Sequence, residues 1–495
     1  MEINSSEIKR YKQIAAVIGA ILIMLFTLAT NYALPIFTVI IIFAAAFIVA
    51  QINIAPLFMF MVLVIPMSIN QRLFDSEVTL LMPSEPIEAI LTLAFGIKLL
   101  FGYKVSPQLL QHPIFLTLIF VLLAQYFSII TSGIPMVSIK TIFLKSCYFI
   151  VFFMVSADLY LKKACDHISV LKTYSFSLLI IGIVIFFKHL DFGLSKDISG
   201  SVTEPFYADH TIYSACLAFI LPLPLLTFFN SKKLNINFYQ FFWIGLLAAV
   251  LLIFLFFTFC RAAWVSFVIA SIIVLMVYQR LKFKGLLFLI VSAFSLFFIF
   301  QTEIFDSIKQ NKADSNAKNA SVEQQTKSVT NITSDQSNAE RLNRWSCAYR
   351  MFLDQPFLGY GPGTYQFEYL SYQKKSEMTR ISVTSPYNIK KGKGGTAHSE
   401  YLLLLAESGI FSLILYLASI LLTIYYAIKV YVKATDSKTK VRILIFFFGF
   451  CTYILHAFFN NFLDTDKAAL LYYTSIAAIM VEAIILEQTL KQKTI

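Results

Sequence analysis

Charge is what this chain lacks. Of its 495 residues only 14% are Asp, Glu, Lys or Arg, against 58% hydrophobic, and the mean hydropathy is +0.73. Soluble domains carry about 25% charged residues, so an ordinary water-soluble globule is excluded. Paired cysteines are also missing. The six cysteines fall singly, four in or at apolar stretches (Cys147, Cys216, Cys260, Cys451), one in a basic loop (Cys165) and one alone in a long polar loop (Cys347). No pair points to a structural disulfide and no CxxC points to a metal. There is no internal repeat. The short alternating segments of a membrane β-barrel are absent as well.

Long apolar runs are abundant. Stretches of roughly 18–22 residues, enough to cross a ~30 Å hydrocarbon core as helix, lie near 11–30, 32–50, 52–68, 84–102, 113–131, 141–160, 170–188, 211–229, 238–258, 261–279, 284–302, 399–429, 440–462 and 467–486. The expected fold is all-α: a polytopic integral membrane helical bundle of about 12–14 spans. The first run has a basic start but no small-residue cleavage site after it, so it reads as a span rather than a signal peptide.

The net charge of +12 follows from topology rather than from nucleic-acid binding, and no nucleic-acid partner is expected. Basic residues collect in cytoplasmic loops. With the N-terminus and its Lys9, Arg10 and Lys12 inside, alternate loops carry Lys162, Lys163 and Lys172; Lys232 and Lys233; Arg280, Lys282 and Lys284; Lys433, Lys438, Lys440 and Arg442; and the tail Lys491 and Lys493. All fall on one side. The single long loop, 303–397, then lies outside the cytoplasm. It divides the chain into a first membrane part (1–302), the loop (303–397) and a C-terminal membrane part (398–495).

Within the loop, 308–338 is polar with almost no large apolar residues and is expected to be disordered. The stretch 339–370 differs. Leu342, Trp345, Tyr349 and Phe352 recur at helical spacing, which predicts a helix lying on the membrane or capping the bundle. Pro356 and Gly361-Pro362-Gly363 end it and turn the chain. Gly359, Gly361 and Gly363 only superficially resemble a phosphate-binding loop, since no strand precedes them.

A few charged residues stand out against this background. The apolar run 238–279 is about 42 residues, or roughly 63 Å as helix. It therefore holds two spans, with Arg261 at the turn between them on the external side. A charge there is costly and by default functional; snorkelling to a lipid headgroup is the bland alternative. Arg341 and Arg344 are three apart on the loop helix and point the same way. A guanidinium pair suits phosphate, although a solvated helix face would look alike. His398 follows the Gly394-Gly395 pair and opens a span, where the helix dipole disfavours imidazolium and leaves a neutral ring able to take a proton. Lys390, Lys391 and Lys393 are either phosphate contacts or a solvated run, and read rather as the run. Asp209 and His210 begin a span, either lining a cavity or capping the helix, and Glu400 is a further candidate cavity residue. Glu85 and Glu88 read as helix caps. Asp464-Thr465-Asp466 resembles a metal-binding DxD, but the pattern is short; no metal and no cofactor are expected.

The order of these features is distinctive. An arginine in "CRAAW" (260–264) is followed by the loop sequence "RLNRWSCAYRMFLDQPFLGYGPGTY" (341–365). Then "HSEYLLLLAESG" (398–409) enters a span. This resembles the O-antigen ligase and polymerase superfamily of polytopic GT-C-type glycosyltransferases. The family's loop-exit pattern is His, then Asn, Ser or Gln, nine residues, Gly, two residues, and Gly, Thr or Tyr. His398-Ser399 and Gly409 fit it, and Ser412 departs from the last position. The resemblance implies a bacterial inner-membrane enzyme whose site faces the periplasm. It would move a glycan from undecaprenyl diphosphate to an acceptor hydroxyl, with lipid A-core or a similar envelope glycan as acceptor and membrane lipids around it. It implies His398 as the catalytic residue and Arg261 with Arg341 or Arg344 as diphosphate-binding residues. Polymerase and protein O-oligosaccharyltransferase relatives share the donor chemistry. A lipid-linked glycan transporter is the reading from another class, against which stands the lack of paired Gly/Pro-broken spans.

Overall fold

The computed structural model describes residues 45–72, 79–280, 285, 288 and 335–492. The expected span 11–30, nearly all of 284–302, most of 32–50, and nearly all of the expected disordered segment 308–338 lie outside the described residues.

The apolar runs fold as helices. Nine are long and apolar enough to cross a membrane among the described residues: α3 (Pro113–Thr131), α4 (Pro135–Leu161), α5 (His167–Leu190), α6 (His210–Phe229), α7 (Phe238–Phe257), α8 (Arg261–Tyr278), α10 (Glu400–Lys433), α11 (Ser437–His456) and α12 (Asp466–Gln492). Two shorter apolar helices, α1 (Ile54–Val64) and α2 (Ser84–Leu100), precede them, and α9 (Gln336–Asp354) is the loop helix. Most expected spans are matched to within a few residues.

Polar residues fix where helices start. Asp166, Asp209, Asn237, Asp335, Ser399 and Asp436 each accept a backbone N–H in the first turn of the helix they precede. That satisfies amides that would otherwise be stranded near apolar surroundings.

The layers follow from apolarity all round. α12 is the most enclosed span, and α7 and α8 are the least. On α7, Phe238, Tyr239, Phe242, Trp243, Ile253 and Phe256 face outward. Such a surface is a liability in water but is the contact face in lipid. α10 packs along α3 and α9, and α8 along α11.

One feature was not expected from apolar periodicity. Residues Ile69–Arg72 (β1) and Thr79–Met82 (β2) form a short antiparallel hairpin, Ile69 opposite Met82. It corrects the reading of Glu85 and Glu88. Glu85 accepts the Leu81 N–H of that hairpin (3.2 Å), and Glu88 is buried.

α10 is broken at Gly409, with φ 71° and ψ −176°. The chain after α9 inserts there. Tyr360 N–H donates to Ala406 O (3.1 Å), Gly361 N–H to Glu407 O (2.8 Å), and Ile410 N–H to Pro356 O (2.9 Å). Irregular backbone at this depth is tolerated because protein groups take up the freed amides and carbonyls. A Cβ at Gly409 would sit 2.1 Å from Phe357 O, and one at Gly359 would sit 2.4 Å from the Glu407 carbonyl carbon. Both positions have positive φ. The two glycines, in "FLGYG" and "AESG", are therefore two sides of one backbone contact.

The bundle has a cationic end. Tyr431 at the end of α10 donates to Tyr278 O at the end of α8 (3.2 Å), and Lys429 pairs with Glu487 on α12 (2.7 Å). Lys162, Lys233, Arg280 and Lys440 lie in the loops and helix ends at that level, whereas Arg261 and His398 sit at the opposite ends of α8 and α10.

Candidate functional site

The site forms where α8 and α9 begin and α10 is entered. Arg261, the first residue of α8, binds the Asp335 carboxylate with both Nη atoms (3.2 Å each). Asp335 is fully buried and caps α9 through Asn338 N–H (3.0 Å). A fork-to-fork pair of this kind is both strong and directional. It ties the turn between α7 and α8, where Phe259 takes φ 53°, to the first turn of the loop helix. The turn expected at Arg261 is therefore present.

The loop helix buries a different face from the one the apolar stripe predicts. Leu342 and Tyr349 are exposed, while Glu340, Asn343, Arg344, Cys347, Ala348 and Met351 are buried. Small Cys347 and Ala348 allow close packing, and a charged pair replaces an apolar stripe at the top of that face.

That pairing also separates the two arginines, correcting the expectation that they act side by side. Arg344 Nε donates to Glu340 Oε1 (2.9 Å), and its Nη1 to the carbonyls of Gly394 (3.0 Å) and Thr396 (2.9 Å). Its guanidinium lies 5.2 Å from the Tyr369 ring centroid. Glu340 also accepts from Thr379 and Ser382. Arg344 is thus a clamp on the chain entering His398. The Gly-Gly pair is what allows it: a Cβ at Gly394 would meet Gln366 O at 2.1 Å, and one at Gly395 would meet Arg344 Nη1 at 2.9 Å.

Arg341 turns the other way, toward Arg261. Its Nη1 reaches Ser337 Oγ (3.2 Å) and Asn338 Oδ1 (3.3 Å), its enclosed Nε has no partner, and it makes no ion pair among the described residues. Burial, opposed by Cys260 and reinforced by Arg261, pushes its proton affinity below the ordinary arginine value. It remains a cation, since guanidinium is not deprotonated in proteins.

His398 stands beside both arginines with backbone φ 50°. Its carbonyl accepts Trp345 Nε1–H (3.2 Å) and its N–H donates to Thr396 Oγ1 (3.4 Å). The ring nitrogens have no hydrogen bond among the described residues. Burial first, then Arg344 and Arg341, push the imidazole down to about 4, with Asp209 and Glu340 acting against them. The ring is therefore neutral at physiological pH, as its place ahead of a helix suggested.

The cavity candidates divide. Asp209 caps α6 through Thr211 N–H (3.0 Å) and lies 2.8 Å from His210 Nδ1; its carboxyl is held well below the usual range by His210 and Thr211 against the opposing effect of burial. Asp209 acts electrostatically on both Arg341 and His398. His210 instead lines a small cavity of about 20 Å³ with His189, Thr203 and Thr258. Glu400 points away from His398, accepting from Phe462 N–H (3.1 Å), and lines a cavity of about 40 Å³ with Lys145, Gln125 and Tyr416. The lysines at 390, 391 and 393 are exposed. Asp464 and Asp466 diverge, one to Lys145 (3.2 Å) and the other to Ser84 (2.5 Å), so they do not form a paired ligand set.

The sequence did not single out Asp335, Glu340 or His456. His456 is fully buried at the end of α11, its Nε2 on Asn460 Nδ2 (2.9 Å), its Nδ1 without a partner, within the field of Arg341 and Asp209. A histidine closing an apolar run, in "YILHAFFNN", is the one signal it left.

No curated protein matches the chain. A family model does: residues 246–417 match the family described as O-antigen ligase. The matched stretch, about a third of the chain, runs from α7 into α10 and contains Arg261, Arg341, Arg344, His398 and the glycine contact at Gly359 and Gly409, so this part of the chain is similar to the O-antigen ligase family.

Proposed function

We propose that the chain is a glycosyltransferase of the ligase type, moving a glycan from undecaprenyl diphosphate to a hydroxyl of lipid A-core or a similar envelope glycan on the periplasmic side of the bacterial inner membrane. The observation that carries this reading is Arg341, whose enclosed Nε has no hydrogen-bond partner and which makes no ion pair among the described residues, beside Arg261 and a neutral His398. A guanidinium held in this way, with Asp335 and Asp209 acting on it only through space, fits a diphosphate better than it fits a neutral ligand.

The chemistry follows. The acceptor oxygen bonds to the anomeric carbon as the bond from that carbon to the diphosphate oxygen breaks. The electron pair leaves with the lipid diphosphate. The acceptor proton goes to the neutral His398 ring, and direct displacement inverts the anomeric centre. Arg341 and Arg261 stabilise the charge growing on the leaving group, an effect worth roughly 10²–10³ in rate per fixed donor. A positioned base adds roughly 10²–10⁴. Arg344 contributes by holding residues 394–396, and hence His398, in place. The donor is already activated, so no nucleotide is required.

The test is transfer by the purified chain, given an undecaprenyl-diphosphate-linked glycan and lipid A-core, with His398→Ala as control. Glycan appearing on lipid A-core and lost in the variant supports the ligase reading. Growth of the chain on the donor lipid instead means a polymerase. Full activity in His398→Ala would overturn the base role.

A further inference from the structure

The end of the bundle opposite His398 holds a pocket that the transfer reaction does not use. It has a volume of about 290 Å³ and lies between the ends of α8, α10 and α11, lined by Asn230, Lys233, Tyr278, Arg280, Tyr431 and Lys440 among others. Three cations face it and no carboxylate lines it among the described residues. Lys233 Nζ donates to Tyr278 Oη (2.9 Å). The side chains of Arg280 and Lys440 have no hydrogen-bonded or ion-paired partner among the described residues. The nearest acid in sequence, Asp436, is engaged in capping α11 through Thr439 N–H (2.7 Å). The amino end of α11 also opens here, through Ser437.

We infer that this pocket binds a phosphate group, carried by an anionic lipid headgroup or by a small soluble anion. Its charge is not balanced from within, and a planar guanidinium with two ammonium groups suits phosphate oxygens. Small-molecule sites usually run to roughly 300–1,000 Å³, so this one suits a headgroup better than a whole nucleotide. Tyr278 and Val432 at its edge are exposed, giving an acyl chain an apolar surface to lie on. Basic pockets between spans on the cytoplasmic side are a recurrent arrangement for anionic lipid. The pocket also joins the far ends of the two helices that begin at Arg261 and His398.

The experiment uses the full chain in mild detergent. Phosphatidylglycerol, phosphatidylcholine and inorganic phosphate are titrated separately, following the thermal unfolding midpoint and the lipid retained in native mass spectra. Wild type should show saturable stabilisation by phosphatidylglycerol and none by phosphatidylcholine. Each charge near a membrane surface is worth roughly a five-fold change in binding, so Lys233→Gln/Arg280→Gln/Lys440→Gln should bind on the order of a hundredfold more weakly. Lys233→Arg/Lys440→Arg, which keeps the charge, should bind like wild type and controls for folding. Stabilisation by inorganic phosphate alone, lost in the triple variant, would identify a soluble anion as the source. Equal retention of the two lipids, or an unchanged phosphatidylglycerol response in the folded triple variant with none to phosphate, would overturn the inference.

Discussion

Two polar centres flank the first turns of α10, and they differ in charge balance. On one side, Lys145 meets Asp464 at 3.2 Å and lies in the field of Glu407 and Glu400. Glu400 is itself bonded to Phe462 and Leu463 N–H, and Glu407 to Tyr365 N–H. On the other side, Arg261 is matched by Asp335 and Arg344 by Glu340, while Arg341 makes no ion pair among the described residues, with Asp209 acting on it only through space, and His398 is neutral. In the first centre Lys145 and the three carboxyls all find partners within the protein, and it joins α4 and α10 to the segment ahead of α12. In the second, Arg341 keeps an enclosed Nε without a hydrogen-bond partner among the described residues. Burying charge is costly unless it is paired, which is why the second centre is the proposed reacting side.

Removing each charge should separate the two behaviours. The largest effect is expected for Arg341→Gln, which should lower the transfer rate roughly 10²–10³-fold while the thermal midpoint changes little; single-turnover rates and unfolding curves on the same preparation check this. Arg344→Gln should do the reverse. It leaves Glu340 buried without its charge partner, a loss of about 3–5 kcal/mol in stability, and Glu340→Gln/Arg344→Gln should recover part of it in a double-mutant cycle. Lys145→Gln should destabilise less, about 1 kcal/mol, because Asp464 is 38% exposed and water screens the pair. An internally partnered centre that proved dispensable for folding yet essential for transfer would break the comparison.

The pH profile gives the smallest and most specific effect. His398 is pushed down to about 4, so the ring stays neutral as pH falls through 6.5 and is protonated only near 4. The acid limb of kcat/KM, which reports the free enzyme, is therefore expected near pH 4. Arg341→Gln removes one of the positive neighbours and should move that limb upward. A limb near 6.5 in the unaltered chain would mean that the ring is hydrated and titrates as an ordinary imidazole.

Much of this architecture is legible from residue order. Spans follow from run length, and the turn at Arg261 follows because the run 238–279 is too long for one crossing. His398 shows itself by its place between a Gly-Gly pair and an apolar helix. The division of labour between Arg341 and Arg344 is not legible. Both are arginines on one helix, and what separates them is Glu340 one turn back together with carbonyls at 394 and 396, which come close only through the fold. The buried face of α9 misleads for the same reason, since Leu342 and Tyr349 of its apolar stripe face outward. Gly409 shows up in the motif, but the reason for it, the approach of Phe357 O, depends on a segment about 50 residues away in sequence.

Arg341, rather than Arg344, is the proposed contact to the diphosphate. The most direct measurement is the affinity of the purified, folded chain for undecaprenyl diphosphate, compared among wild type, Arg341→Gln and Arg344→Gln/Glu340→Gln. Loss of a charge-assisted hydrogen bond of about 1.5–3 kcal/mol predicts binding weaker by roughly ten- to hundredfold in Arg341→Gln and near wild type in the double variant. Undiminished binding by Arg341→Gln, with the loss falling on the Arg344 variant instead, would contradict it.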